Sequence, residues 1–209
     1  MVIKRRLNRA SPDERRHHIV CVAGEVFVKE GYGATSMSTI AARLGGSKAT
    51  LYKYFPSKQQ LFEAVMEQRC DRVLAPLRDL RSSDQKDLES LLSDFGNRLL
   101  IRLYEPAALD LHRLIQSEGA RFPELVEAFF RSGPNSVIGE LCTTFERFAA
   151  GGLIICDDFE VAAKQFLGML HGERYLHLSI GILPTPNFDE IEKYASHAAH
   201  NFVFGLFPR

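Results

Sequence analysis

The chain has 209 residues, 45% of them hydrophobic and 25% charged, enough for a packed core and too apolar for wholesale disorder. No run of about 18 apolar residues occurs, and the basic N-terminus lacks an apolar signal core, so the expectation is a soluble cytoplasmic protein with no membrane partner. Net charge is zero, yet residues 1–70 carry 12 − 6 = +6 and the remainder 14 − 20 = −6, which points the N-terminal part at a polyanion and the rest at something else.

In chain order, the segment "SPDE" from Ser11 to Glu14 reads as a helix start, with serine at the N-cap, proline at the first helical position and glutamate closing a capping box. Ile19, Ala23 and Phe27 then repeat along one face until Gly31 stops the helix, leaving Arg15, Arg16 and Lys29 toward solvent. A second, shorter helix is expected over "MSTIAARLG", capped by Ser36 or Thr35. Gly45 and Gly46 break it, and a third begins at Ser47 and runs to Pro56. Two short helices around a tight glycine turn make a helix-turn-helix.

Leu51 and Phe55 anchor the third helix to the core. Its outward face is then Ser47, Lys48, Thr50, Tyr52, Lys53 and Tyr54. These are hydroxyls, cations and aromatics, the groups that reach phosphates and base edges. Ser57 caps a fourth helix with Gln60 completing a box, and its N-terminal amides with Lys58 are suited to a phosphate. This helix is expected to end at Pro76, followed by a polar linker, "RDLRSSDQKD".

The block Phe27 to Val65, and within it Gly31, Tyr32, Thr35, Ile40, Ala41, Gly45, Leu51, Tyr52, Phe55, Lys58, Leu61 and Phe62, resembles the DNA-binding pattern of the tetracycline-repressor (TetR) family. The resemblance implies an all-α fold of about nine helices and an operator-binding homodimer. It also implies a helix-turn-helix domain over 1–56 and a ligand-binding and dimerisation domain over 57–209. It places Ser47, Lys48, Thr50, Tyr52 and Tyr54 where family members touch DNA, Lys58 on a backbone phosphate, and Thr35 and Met37 near the backbone at the start of helix two. Gly46 stands where the family often has an apolar anchor, Ala49 where it often has glycine and Tyr54 where it often has histidine.

Further helices are expected over 88–104, 107–118 and 123–150, the last kinked or broken at Gly133-Pro134 and ended by Gly151-Gly152. An eighth is capped by Asp157 or Asp158, and a ninth carries Phe188 to Leu206. Phe122, Pro123, Glu124, Leu125, Phe129, Gly152, Leu153, Ala162, Ala163, Phe166 and Gly172 resemble the regulatory domain of a TetR branch that represses efflux and stress genes. In the last two helices Ala163, Phe166, Leu170, Ile191, Ala195, Ala198 and Phe202 form stripes that are core in a monomer and, by the resemblance, a dimer interface.

The effector, a small and mostly hydrophobic molecule, is expected against Phe95, Tyr104, Phe129, Phe145, Phe166 and Tyr175, with His112, Gln116, His171 and Arg174 as polar candidates and Glu118 and Glu173 beside them. No paired carboxylates, activated nucleophile, phosphate loop or metal cluster is legible, so no catalysis, cofactor or metal is expected. The scattered cysteines, Cys21, Cys70, Cys142 and Cys156, show no metal or redox spacing. The alternative is an architectural, nucleoid-associated DNA binder without an effector.

Overall fold

The computed structural model describes residues 11–78, 87–182, 184 and 186–206, and among these every regular element is a helix. They are α1 (Pro12–Glu30), α2 (Met37–Leu44), α3 (Lys48–Tyr54), α4 (Lys58–Arg78), α5 (Leu88–Leu103), α6 (Pro106–Glu118), α7 (Pro123–Ser132), α8 (Pro134–Ala150), α9 (Phe159–Ser179) and α10 (Phe188–Leu206). Their contacts sort into two compact units, Met1–Arg69 with Leu114–Phe130, and Cys70–Arg113 with Arg131–Arg209.

Helix starts follow the local chemistry of the sequence. Ser11 accepts the Glu14 amide at 3.1 Å while the Glu14 carboxylate accepts the Ser11 amide at 2.7 Å, so two otherwise orphaned donors at the α1 terminus are satisfied. Ser36 caps α2 and Ser47 caps α3 through the amides of Thr39 and Thr50, both at 3.1 Å. Between them Gly45 takes a left-handed conformation, φ 64° and ψ 20°, which closes the last turn of α2 and reverses the chain without the penalty a Cβ would bring.

In the first unit, Ile19, Ala23 and Phe27 of α1 are buried with Ile40, Leu51, Phe55, Leu61 and Phe62. Phe27, Tyr32 and Phe62 meet mutually at ring separations of 5.1–5.5 Å, and Phe122 joins Tyr32 edge-on at 5.3 Å. Arg16 is exposed as expected, but its guanidinium lies 5.2 Å over the Phe55 ring and covers it.

The second unit is built on α5, which packs chiefly against α10, with α9 bridging α8 and α10. Gly96 lets α5 approach closely, since a Cβ there would meet Leu170 at 2.8 Å and Ala195 at 3.3 Å. Phe166 sits between Phe95 and Phe202 at 6.2 and 5.2 Å, and Phe145 stacks on Phe202 at 5.6 Å. Arg113 closes the end of α9 by donating to the carbonyls of Ser179 and Leu178 at 2.5 and 3.0 Å.

Several expectations are corrected. The dimer stripe Ala163, Phe166, Leu170, Ile191, Ala195, Ala198 and Phe202 is buried inside the protomer, with Leu170 and Ala195 lying against Gly96 of α5. Phe95, Phe145 and Phe166 pack in the same core cluster as Tyr104. The helix expected to end at Pro76 runs to Arg78, because proline removes one donor from the ladder without necessarily ending it. Of the kink or break expected at Gly133-Pro134 the structure has the break, separating α7 from α8 with Gly133 at the N-cap and Pro134 at the first helical position. Pro106 likewise opens α6, one residue before the expected start. α9 carries a non-helical residue at Gly172, φ 48° and ψ −165°. Of the linker "RDLRSSDQKD", residues 79–86 lie outside the described residues, and Asp87 caps α5.

Candidate functional site

The outward face of α3 follows from what its inward face buries. Leu51 is 2% exposed and Phe55 3%, which turns Lys48, Thr50, Tyr52 and Lys53 to solvent, with Tyr54 half-buried. Lys48 holds its ammonium 5.8 Å from the Tyr52 ring one turn on, so a cation and a phenol are presented together. The hydroxyls of Ser47 and Thr50 lie 2.8 Å apart, and those of Ser36 and Thr39 at the start of α2 lie 2.9 Å apart. Each short helix therefore begins with a pair of hydroxyls, groups suited to phosphate oxygens.

Three expected contacts lie elsewhere. Thr35 is 2% exposed and donates its hydroxyl to the Gly31 carbonyl at 2.6 Å, and Met37 is 7% exposed. Both are packing residues, since the cap at Ser36 turns the preceding and following side chains inward. Lys58 donates to the carbonyls of Tyr32 at 2.7 Å and Thr35 at 3.0 Å and lies 4.2 Å from the Tyr32 ring. Burial lowers its pKa, with Glu118 and Glu124 opposing. Its ammonium, on a half-buried side chain, ties the loop to α4 through these carbonyls. Ser36 and Thr39, exposed and half-buried, are hydroxyls that sequence reasoning did not single out as contacts; their cap spacing, repeated at Ser47 and Thr50, was the available signal.

The second unit gathers four of the expected effector residues into one polar aromatic cluster. Tyr175 stacks on His171 at 4.8 Å and on Tyr104 at 6.4 Å, and meets His112 edge-on at 5.0 Å. Arg174 beside them reaches Glu190 at 3.7 Å. Burial lowers the pKa of His112, and burial with the neighbouring His112 lowers that of His171. Burial also pushes the Tyr104 and Tyr175 phenols up to about 12. These four rings are therefore uncharged near neutral pH. Among the described residues the Tyr104 hydroxyl, in a residue 1% exposed, has no hydrogen-bond partner, nor has Asn97 Oδ1 on α5. Gln116 and Phe129 belong to the first unit, where Gln116 is exposed and Phe129 packs edge-on to Phe130 at 5.6 Å.

Residues 19–65 fit the model for bacterial regulatory proteins of the tetR family, and residues 90–204 fit the AefR-like transcriptional repressor C-terminal domain. The chain belongs to the TetR family of transcriptional regulators. It is 45% identical over 74 residues to the transcriptional activator FasR of Mycolicibacterium smegmatis, covering 35% of this chain and 34% of FasR. The nucleoid occlusion factor SlmA of Vibrio cholerae is 28% identical over 188 residues, 84% of this chain and 91% of SlmA. The solved structure of the flavonoid-responsive regulator FrrA superimposes with a TM-score of 0.78 at 32% identity, covering 93% of this chain and 98% of FrrA. Among the described residues no helix is long and apolar enough to cross a membrane, and no group of three or more His, Cys, Asp or Glu could hold a metal ion.

Proposed function

We propose that the chain is a cytoplasmic one-component repressor that binds a palindromic operator as a homodimer and is released by a small ligand. The observation that carries this reading is the α3 face, where Lys48, Tyr52 and Lys53 project from a helix anchored by Leu51 and Phe55. One such module reads few base pairs, so specificity calls for two heads at fixed spacing. The dimer surface we assign lies on the last two helices, where Val161, Met169 and Leu176 on α9 and Phe188 and Phe204 on α10 are exposed. Apolar side chains in that number on neighbouring helices favour cover by a second copy.

The effector site is the cluster of Tyr104, His112, His171, Arg174 and Tyr175. Stacked rings favour a flat, mostly apolar ligand, and the unsatisfied Tyr104 hydroxyl favours one presenting an oxygen acceptor. The similarity to a flavonoid-responsive regulator supports an aromatic ligand of that kind. The role proposed for this cluster is binding alone, without catalysis.

Genome-fragment selection on the immobilised protein tests the reading. A shared palindrome is expected, bound with a steep salt dependence, and Lys48→Ala should lower the log–log slope by about 0.9 per lost phosphate contact. The similarity to a nucleoid occlusion factor over most of both chains favours a second reading, an architectural DNA binder; recovery of many fragments without a common motif would replace the first reading with it.

A further inference from the structure

The segment Gly31-Tyr32-Gly33 joins α1 to α2 and carries none of the side chains on the DNA face, yet its backbone is gripped at both polarities. At the end of α6 the Glu118 carboxylate accepts the Tyr32 amide at 3.0 Å through Oε1 and the Gly33 amide at 2.6 Å through Oε2. At the start of α4 the Lys58 ammonium donates to the carbonyls of Tyr32 and Thr35 at 2.7 and 3.0 Å. The Tyr32 ring fills the space between, against Phe62 and Phe122, with its hydroxyl toward Glu124 at 3.5 Å.

Local chemistry argues against a carboxylate at this position. Glu118 is the last residue of α6, where the helix dipole disfavours negative charge and lysine or arginine is the favourable choice. What offsets this is the pair of loop amides, with Lys58 close enough for its ammonium to be stabilised by the Glu118 charge. The glycines of the loop fit the same purpose. Gly31 has φ 82°, and a Cβ there would run into the Glu118 carboxylate; a Cβ at Gly33 would meet the Phe122 ring at 2.9 Å and Glu118 Oε2 at 3.2 Å. The "GYG" stretch is a backbone cradle shaped to a carboxylate from a distant helix.

We propose that Glu118 is a positioning residue for DNA binding: it touches no DNA, but fixes the α1–α2 loop and with it the orientation in which α2 and α3 present their hydroxyls and cations. Thr35, whose carbonyl Lys58 holds, directly precedes the Ser36 cap, so motion of the loop passes without slack into the start of α2. Hydrogen bonds to base edges weaken steeply with misalignment, so a loosened loop costs affinity even with every contacting side chain present. The proposal rests on the DNA reading above.

The test uses the full chain and the fragment recovered on immobilised wild-type protein, titrated over a salt series, with amide exchange measured at Tyr32 and Gly33. Glu118→Gln, which leaves one loop amide facing an NH2 group, should weaken binding about tenfold and speed exchange at both amides, while the salt slope stays at the wild-type value because no phosphate contact is lost. Glu118→Asp, shorter but still charged, should do the same more mildly. Gly33→Ala keeps the carboxylate but fills its space, and should be non-additive with Glu118→Gln.

Wild-type affinity in Glu118→Gln despite fast amide exchange would overturn the proposal, because the bond would then serve the fold alone. A shallower salt slope would also overturn it, by giving Glu118 a part in phosphate contact. Should Glu118→Gln fail to fold, unchanged affinity in both Glu118→Asp and Gly33→Ala overturns it equally. A wild-type protein that retains no fragment removes the DNA reading together with the proposal, an outcome the wild-type control alone identifies.

Discussion

Replacing Tyr104 by phenylalanine separates ligand binding from stability, because the two should move in opposite directions. The Tyr104 side chain is 1% exposed and its hydroxyl finds no partner among the described residues. A buried hydroxyl left unpaired carries a desolvation cost of about 1–3 kcal/mol. Phenylalanine removes that cost and keeps the ring that stacks on Tyr175 at 6.4 Å. The ligand-free variant should therefore be more stable by about 1 kcal/mol, a rise of roughly 2–4 °C in Tm for a chain of this length. A ligand whose oxygen accepts from the hydroxyl should bind about tenfold more weakly. Thermal and urea unfolding of both proteins, with calorimetric titration of a flat phenolic probe, gives both numbers. A variant less stable than wild type by about 1 kcal/mol would refute the reasoning, since it would mean that the hydroxyl is paired in the folded protein.

Other predictions follow from burial and exposure. His112 and His171 have lowered pKa values through burial, so the unfolded chain binds protons that the folded chain refuses; stability should be full above the unfolded histidine pKa of about 6.5 and fall as pH drops below it. Urea midpoints between about pH 7.5 and 5 check this, and His171→Phe should flatten the profile. Gly46→Ala should stabilise by about 0.4–1 kcal/mol in urea unfolding, because a Cβ at Gly46 meets nothing within 4 Å. Phe188→Glu with Phe204→Glu should leave the protomer folded by circular dichroism but monomeric by sedimentation, as these side chains are 72% and 75% exposed.

Helix starts were legible because capping joins residues only a few positions apart. Ser11, Ser36, Ser47, Ser57 and Asp158 all cap the helices that their spacing suggests. The α3 face was legible for a related reason, since Leu51 and Phe55 state which side is buried. The polar aromatic cluster was legible in part. Tyr104, His112, His171 and Tyr175 were candidates by type, but nothing local distinguishes them from Phe95, Phe145 and Phe166, which the core absorbs.

The sequence by itself determined the all-helical class, the helix-turn-helix with its glycine turn, and the family, because these rest on periodicity, caps and motif spacing carried by neighbouring residues. The tertiary structure alone decided which partner each stripe and charge meets. An apolar stripe records that a face is buried but not against what, so Leu170 and Ala195 read as an interface until Gly96 of α5 met them. An ammonium or carboxylate records a charge but not its counterpart. Only the fold brings Lys58 and Glu118, so far apart in sequence, to opposite polar sides of one loop.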